Sequence, residues 1–197
     1  DANEVCIPVG QPVVFELKSA DVIHSFWIPH LSGKKDMIPG RTTLMRVEAD
    51  RVGQFGGVCA EYCGGAHALM GFVAIAQQRR EWEEWFSGRI AREAAAWQDA
   101  AGAASEQTAG RALFMDAGCG ACHRVAGTEA NGLAGPDLTF VGDRTTIGAG
   151  ILPNHRGTLI GWIGDSQSIK PGNRMPPYDR LSARELDAIA AWLERQR

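Results

Sequence analysis

Val13, Phe15 and Leu17 recur at every second position, the period of a strand with one face in a core. A second alternating run covers Thr42 to Ala49, after the turn signal Ile38-Pro39-Gly40. Shorter runs at residues 54–58 and 71–76 flank a segment containing Cys59 and Cys63. Short strands at this spacing predict an all-β sandwich or barrel. The period changes near Gln78, where Trp82, Trp85, Phe86 and Ile90 fall at helical spacing with Glu and Arg between them. The run Ala100-Ala101-Gly102-Ala103-Ala104-Ser105 lacks turn chemistry and predicts a helix passing into a flexible connection.

Beyond this point the pattern is helical with long loops. Ala112, Leu113 and Phe114 belong to a short helix ending near Gly118. Ser182 and Glu185 form a capping box ahead of Leu186, Ile189, Ala190 and Leu193, which share one face of a final helix. A Gly- and Pro-rich stretch of little periodicity separates the two, and loop of that length needs something to pack around. The chain thus divides into residues 1–78, a β domain, residues 79–105, a helical connection, and residues 106–197, an α domain.

Composition adds few exclusions. The 197 residues carry 20 basic and 23 acidic groups, and neither domain is the basic footprint that nucleic-acid binding needs. No apolar run approaches the length of a membrane-spanning helix, and no signal peptide opens the chain. Asp1 stands almost directly before a strand-like run, which reads as a cut or processed end.

The five cysteines group as two pairs and a singleton, Cys6, which suits metal or cofactor chemistry better than a disulfide framework. Cys119-Gly120-Ala121-Cys122-His123 is C-x-x-C-H, the attachment signature of a c-type haem. Cys119 and Cys122 would add to the haem vinyl groups while His123 offers its imidazole to the iron. A thioredoxin-like dithiol would want a βαβ context, and a zinc site a second Cys/His pair downstream; neither pattern is present. Met175, in Asn173-Arg174-Met175-Pro176-Pro177-Tyr178, is the preferred second axial ligand, because a thioether opposite imidazole favours reduced iron. His155, Met115 and an open position are the alternatives.

Cys59 and Cys63 are followed by His67 and Met70, a soft ligand set within twelve residues, and His24 would supply a second imidazole from another loop. Two cysteines four apart are each able to bridge two metal ions. Three other readings stand beside a dinuclear copper centre. A Cys59–Cys63 disulfide would leave His67 and Met70 without a purpose. A structural zinc on His24, Cys59, Cys63 and His67 would not need Met70. A blue-copper site uses one cysteine rather than two. Ligand chemistry alone prefers copper to zinc.

Taken together, the run Val22-Ile23-His24-Ser25-Phe26-Trp27-Ile28-Pro29, the run Asp36–Arg41, the complete Cys59–Met70 motif, Cys119–His123, Gly135-Pro136-Asp137-Leu138 and Asn173–Tyr178 resemble cytochrome c oxidase subunit II in its caa3-type form, with a cytochrome c domain at the C-terminus. The resemblance covers essentially the whole chain. It implies an all-β cupredoxin-like Greek-key barrel followed by an all-α cytochrome c domain. By position, Cys59 and Cys63 would bridge the two coppers of a CuA centre, with His24 and His67 binding one each. Met70 and the Glu61 carbonyl would be weak ligands, and the Glu61 side chain would help hold magnesium against subunit I. Pro136 would present its carbonyl to His123. Cys6 and His30 match no ligand position and are expected to be a buried thiol and a surface residue.

The implied function is electron entry into a haem–copper terminal oxidase. Electrons from an external cytochrome or quinol-oxidising complex would pass through haem c and CuA to subunit I, which reduces oxygen to water and pumps protons. Haem attachment and an oxidisable thiolate pair both point to the periplasmic or outer face of a bacterial membrane. The membrane-anchoring N-terminal helices of the family are absent from this sequence.

Overall fold

In the computed structural model, which describes residues 2–102 and 109–197, residues 4–77 form strands that include the four alternating runs. They are β1 (Glu4–Pro8), β2 (Val13–Leu17), β3 (His24–Trp27), β4 (Lys35–Met37), β5 (Thr43–Val47), β6 (Gly53–Cys59) and β7 (Gly71–Gln77). Five of them form one sheet in the order β1-β7-β6-β3-β4, while β2 and β5 pair separately. The β1–β7 pair is parallel and the others are antiparallel. Bridges between Val9 and Ala49 and between Ser19 and Pro39 draw the two sheets together at their ends. The result is a sheet-rich half-barrel of the cupredoxin type.

Alternation explains its interior. Leu17, Met45, Val47, Phe55, Ala74 and Ala76 point inward from their strands and are joined by Ile7 and Ile28 in a single core. Each fully buried Ile or Leu contributes roughly 1.5–3 kcal/mol through removal of apolar surface from water. Phe15, Phe26 and Phe72 pack against this core as an aromatic row, Phe26 and Phe72 stacked at 4.5 Å between centroids.

The helical pattern after Gln78 is α1 (Arg79–Gly102). Further helices are α2 (Ala109–Asp116), α3 (Arg156–Ile169) and α4 (Ala183–Glu194), with one two-residue ladder between β8 (Thr146–Ile147) and β9 (Leu152–Pro153). Among the described residues the second domain is therefore built of helices and loops, with that ladder and an isolated Arg124–Asn131 bridge. Its core gathers Phe114, Val125, Leu159, Ile163, Ile189 and Leu193 among others. The expected capping box is present: Ser182 Oγ accepts from the Glu185 amide, and Glu185 Oε2 accepts from the Ser182 amide at 2.7 Å.

By packing the chain forms two compact units, Asn3–Trp85 with Gly148–Ile151, and Phe86–Ile147 with Leu152–Arg197. Within the first, the Trp82 indole N–H donates to the Cys6 carbonyl at 3.1 Å. Cys6 was expected to be buried but is half-buried, because β1 lies at the edge of its sheet. Within the second unit, Arg89 and Arg92 reach Asp143 at 3.7 and 3.2 Å and lie over the Phe140 ring. Arg124 joins Glu93 to Asp137, its guanidinium 5.6 Å from the Trp97 ring centre. Phe86 and Ile90, two of the residues whose spacing predicts this helix, are 48% and 56% exposed. Ion pairs and cation–π contacts, rather than an apolar stripe, hold this stretch of helix. Residues 103–105, the end of the expected flexible connection, lie outside the described residues. Among the described residues no helix is long and apolar enough to cross a membrane.

Candidate metal centre and haem-attachment loop

His24 opens β3 and Cys59 closes β6, and the register that pairs Phe26 with Cys59 sets both at the same end of the sheet. Two backbone bonds fix the loop that follows. The Cys59 amide donates to the Met70 carbonyl at 3.0 Å, and the Ala60 amide to the Ser25 carbonyl at 2.8 Å. Inside the loop a 3-10 turn, His67–Leu69, brings His67 back towards Cys63.

Five donor side chains converge there. Cys59 Sγ lies 3.7 Å from Cys63 Sγ, His24 Nδ1 3.8 Å from Cys59 Sγ, and His67 Nδ1 3.6 Å from Cys63 Sγ. Met70 Sδ is 3.7 Å from Cys63 Sγ, and the Glu61 carbonyl oxygen 3.2 Å from Cys59 Sγ. A disulfide needs about 2.05 Å between sulfurs, and all five cysteines are free thiols. Two thiolates on one tetrahedral ion with bonds of about 2.3 Å sit about 3.75 Å apart, and a thiolate and an imidazole about 3.5 Å. The observed spacings are those of ligands already set for metal. His24, Cys59 and Cys63 have donor atoms all within 4.8 Å of one another. His67 stands outside that set and approaches through Cys63. Each imidazole thus has its own sulfur, and two thiols, two imidazoles and a thioether form a soft donor set that fits copper.

Electrostatics prepares the same atoms. Burial opposes ionisation of Cys59, but hydrogen bonds from the backbone of Ser25 and Glu61 and from His24 outweigh it and lower its pKa to about 6. Burial and the neighbouring Cys59 raise that of Cys63. On the far side of His24, Nε2 meets Asp21 Oδ1 at 2.9 Å. That bond lowers the Asp21 pKa to about 2, and for His24 burial, the largest single effect, is outweighed only by Asp21 and Cys59 acting together, which raise its pKa. Asp21 was not singled out from sequence. Its signal was the Asp-x-x-His spacing at the mouth of β3.

In the second unit, Cys119 lies buried in a 3-10 turn, Cys119–Ala121, and Cys122 is exposed beside it. The amides of Cys122 and His123 both donate to the Cys119 carbonyl, at 3.1 and 3.0 Å, which closes the attachment loop on itself. His123 Nδ1 donates to the Pro136 carbonyl at 2.8 Å, which fixes the tautomer and leaves Nε2 as the free acceptor. Burial lowers the His123 pKa despite the opposing pull of that carbonyl, so the ring is held neutral as a ligand must be. A Cβ on Gly135 would come within 2.5 Å of the His123 ring, so only glycine lets this loop cradle the imidazole. The site fits a haem held by two thiols and one neutral histidine.

The other candidates separate by position. His155 caps α3, its Nδ1 accepting from the Thr158 amide at 3.3 Å. Met115 and Met175 both pack against the second core, Met175 from the loop between α3 and α4. His30 is exposed. Glu61 is half-buried beside Cys59.

Comparison with known proteins agrees with both halves. Residues 1–77 match the family described as cytochrome c oxidase subunit II, periplasmic domain, and residues 107–196 match cytochrome c. A cytochrome c oxidase subunit 2 from Alkalihalophilus pseudofirmus is 44% identical over 191 residues, covering 97% of this chain and 53% of the relative. One from Bacillus subtilis is 32% identical over 203 residues, covering 98% and 55%. The chain spans about half the length of the curated relatives it matches. The crystal structure of the periplasmic domain of subunit II of cytochrome oxidase from Bradyrhizobium japonicum aligns at 33% identity with a TM-score of 0.44, over 46% of this chain and 65% of that one. With a copper-type donor set at the end of a cupredoxin-like sheet and a C-x-x-C-H loop in a helical unit, the chain belongs to the cytochrome c oxidase subunit II family, in the form that carries a cytochrome c domain after the subunit II periplasmic domain.

Proposed function

We propose that this chain is the electron-entry part of a haem–copper terminal oxidase. Residues 1–78 would carry a dinuclear CuA centre and residues 106–197 a covalent haem c. When bound, these groups supply reversible one-electron chemistry, taking electrons from an external cytochrome or quinol-oxidising complex, haem first, and delivering them to subunit I for oxygen reduction with proton pumping. The observation that carries the reading is the paired geometry of His24 with Cys59 and His67 with Cys63 across 3.7 Å between the sulfurs.

Each residue then has a defined task. Cys59 and Cys63 would hold the copper between them, His24 and His67 would each add an imidazole, and Met70 and the Glu61 carbonyl would be the weaker donors. Because β3 and β6 carry His24 and Cys59, these two donors would keep their places through a change of charge, which limits the reorganisation that accompanies transfer. Tyr62 and Met70, 76% and 38% exposed, mark where the site meets the surface. The Glu61 carbonyl faces Cys59, and the side chain of the same residue would hold magnesium where this domain meets subunit I. In the haem unit Cys119 and Cys122 would form the thioether bonds, His123 and Met175 would be the ligands to iron, and Pro136 orients the imidazole. The site of action is the periplasmic or outer face of a bacterial membrane, where thiolates are loaded with copper and haem is attached.

The test is metal analysis and electron paramagnetic resonance of the copper-loaded chain. Two coppers per chain and a mixed-valence signal are expected. One copper, or zinc with no such signal, would sink the dinuclear reading.

A further inference from the structure

We propose that Ser166, Gln167 and Asn173 are positioning residues that hold Met175 in place as an axial ligand. The proposal rests on the reading of Met175 as the second ligand to the haem iron. Its starting point is a break in α3. Asp165 leaves helical geometry at φ −149° and ψ 72°, and its carboxylate caps a short new turn by accepting from the Ser168 amide at 3.1 Å. The break frees the carbonyls of Ile163 and Gly164, which both accept from the Tyr178 amide, at 3.2 and 3.1 Å. It also turns Ser166 and Gln167 towards the loop that carries Met175.

Three side chains then take up the backbone of that one residue. Asn173 Oδ1 accepts from the Met175 amide at 2.8 Å. The Met175 carbonyl accepts from Ser166 Oγ at 3.0 Å and from Gln167 Nε2 at 2.8 Å. Asn173 is itself tied down, donating through Nδ2 to the carbonyls of Ser166 and Lys170 at 2.9 and 2.8 Å. Ser166 is fully buried. Pro176 and Pro177 follow and have no amide hydrogen to give, so the segment has little of its own with which to satisfy a ladder or turn. Fixing both polar groups of a residue fixes the direction of its side chain. A thioether is a neutral, weak donor that competes for iron only if it is already in position, so pinning its backbone raises its effective strength.

The experiment titrates the oxidised, haem-loaded chain with imidazole, following the sulfur-to-iron band at the red end of the spectrum. Imidazole displaces the thioether more readily the larger the fraction of molecules whose loop is misplaced. Gln167→Leu and Asn173→Ala should each raise imidazole affinity by about ten-fold. Asn173→Asp, which retains the acceptor for the Met175 amide, should fall between Asn173→Ala and the parent. Met175→Ala should lack the band altogether. Affinities within about two-fold of the parent in both Gln167→Leu and Asn173→Ala, with the band lost in Met175→Ala, would overturn the positioning role alone. A band that persists in Met175→Ala would overturn the ligand reading beneath it. Should Asn173→Ala fail to retain haem, the half-buried Gln167→Leu carries the comparison.

Discussion

Asp21 holds His24 by its Nε2 while Nδ1 faces Cys59, so one carboxylate sets both the tautomer and the angle of an imidazole ligand. Asp21→Asn should weaken copper retention by about ten- to a hundred-fold, read by competition with a chromogenic chelator. An unchanged affinity would make the pair incidental. In the copper-free protein the two thiols are unequal: Cys59 is lowered to about 6 and Cys63 is raised. A depressed pKa means more thiolate above that value, so alkylation should start at Cys59 once the pH passes about 6 and reach Cys63 only at higher pH. Peptide mapping after timed alkylation checks the order. At this scale the sequence was informative where spacing is chemistry, as in Cys59–Met70 and C-x-x-C-H. It was silent where a side chain acts through another residue, since Asp21, Ser166, Gln167 and Asn173 look like ordinary polar positions until the backbone brings them to their partners.

Among the elements, α2 and α4 cross at Gly110. A Cβ there would stand 2.1 Å from the Ala188 carbonyl oxygen and 2.7 Å from Trp192 Cβ. Gly110→Ala should therefore force the helices apart and cost about 1–3 kcal/mol in chemical denaturation. Removing the cap by Ser182→Ala should cost about 1 kcal/mol without altering the haem spectrum. Strands β2, β5, β6 and β7 and helix α4 were legible because alternation and a capping box are local signals, which the short β3 and β4 lack. α3 was not. It carries glycines at 157, 161 and 164, breaks at Asp165, and begins with a histidine cap where Ser, Thr, Asp or Asn would be read as a start. The contacts of α1 were not legible for a related reason. Helical period locates a helix, but Arg89, Arg92 and Glu93 make its contacts by charge, which an apolar stripe does not reveal.

At the level of the whole molecule there are two cores without shared residues, which predicts two unfolding transitions in calorimetry. Saturating copper should raise the midpoint of one and leave the other in place, because a ligand stabilises only the unit that binds it. Glu93→Ala should lower the other, by an amount near 0.5–1 kcal/mol, roughly what a partly exposed ion pair is worth. A shift of the copper-responsive transition instead would assign this part of α1 to the wrong core. The family match in the second half begins at residue 107, whereas packing gathers Phe86 onward into the same unit. A haem fragment cut at the family limit would thus lose the partners of Arg124, Asp143 and Phe140, and expose the surface they cover. Dissection of the protein into working parts should follow the helix: a fragment begun near Phe86, about twenty residues before the sequence family begins, should fold more stably than one begun at residue 107.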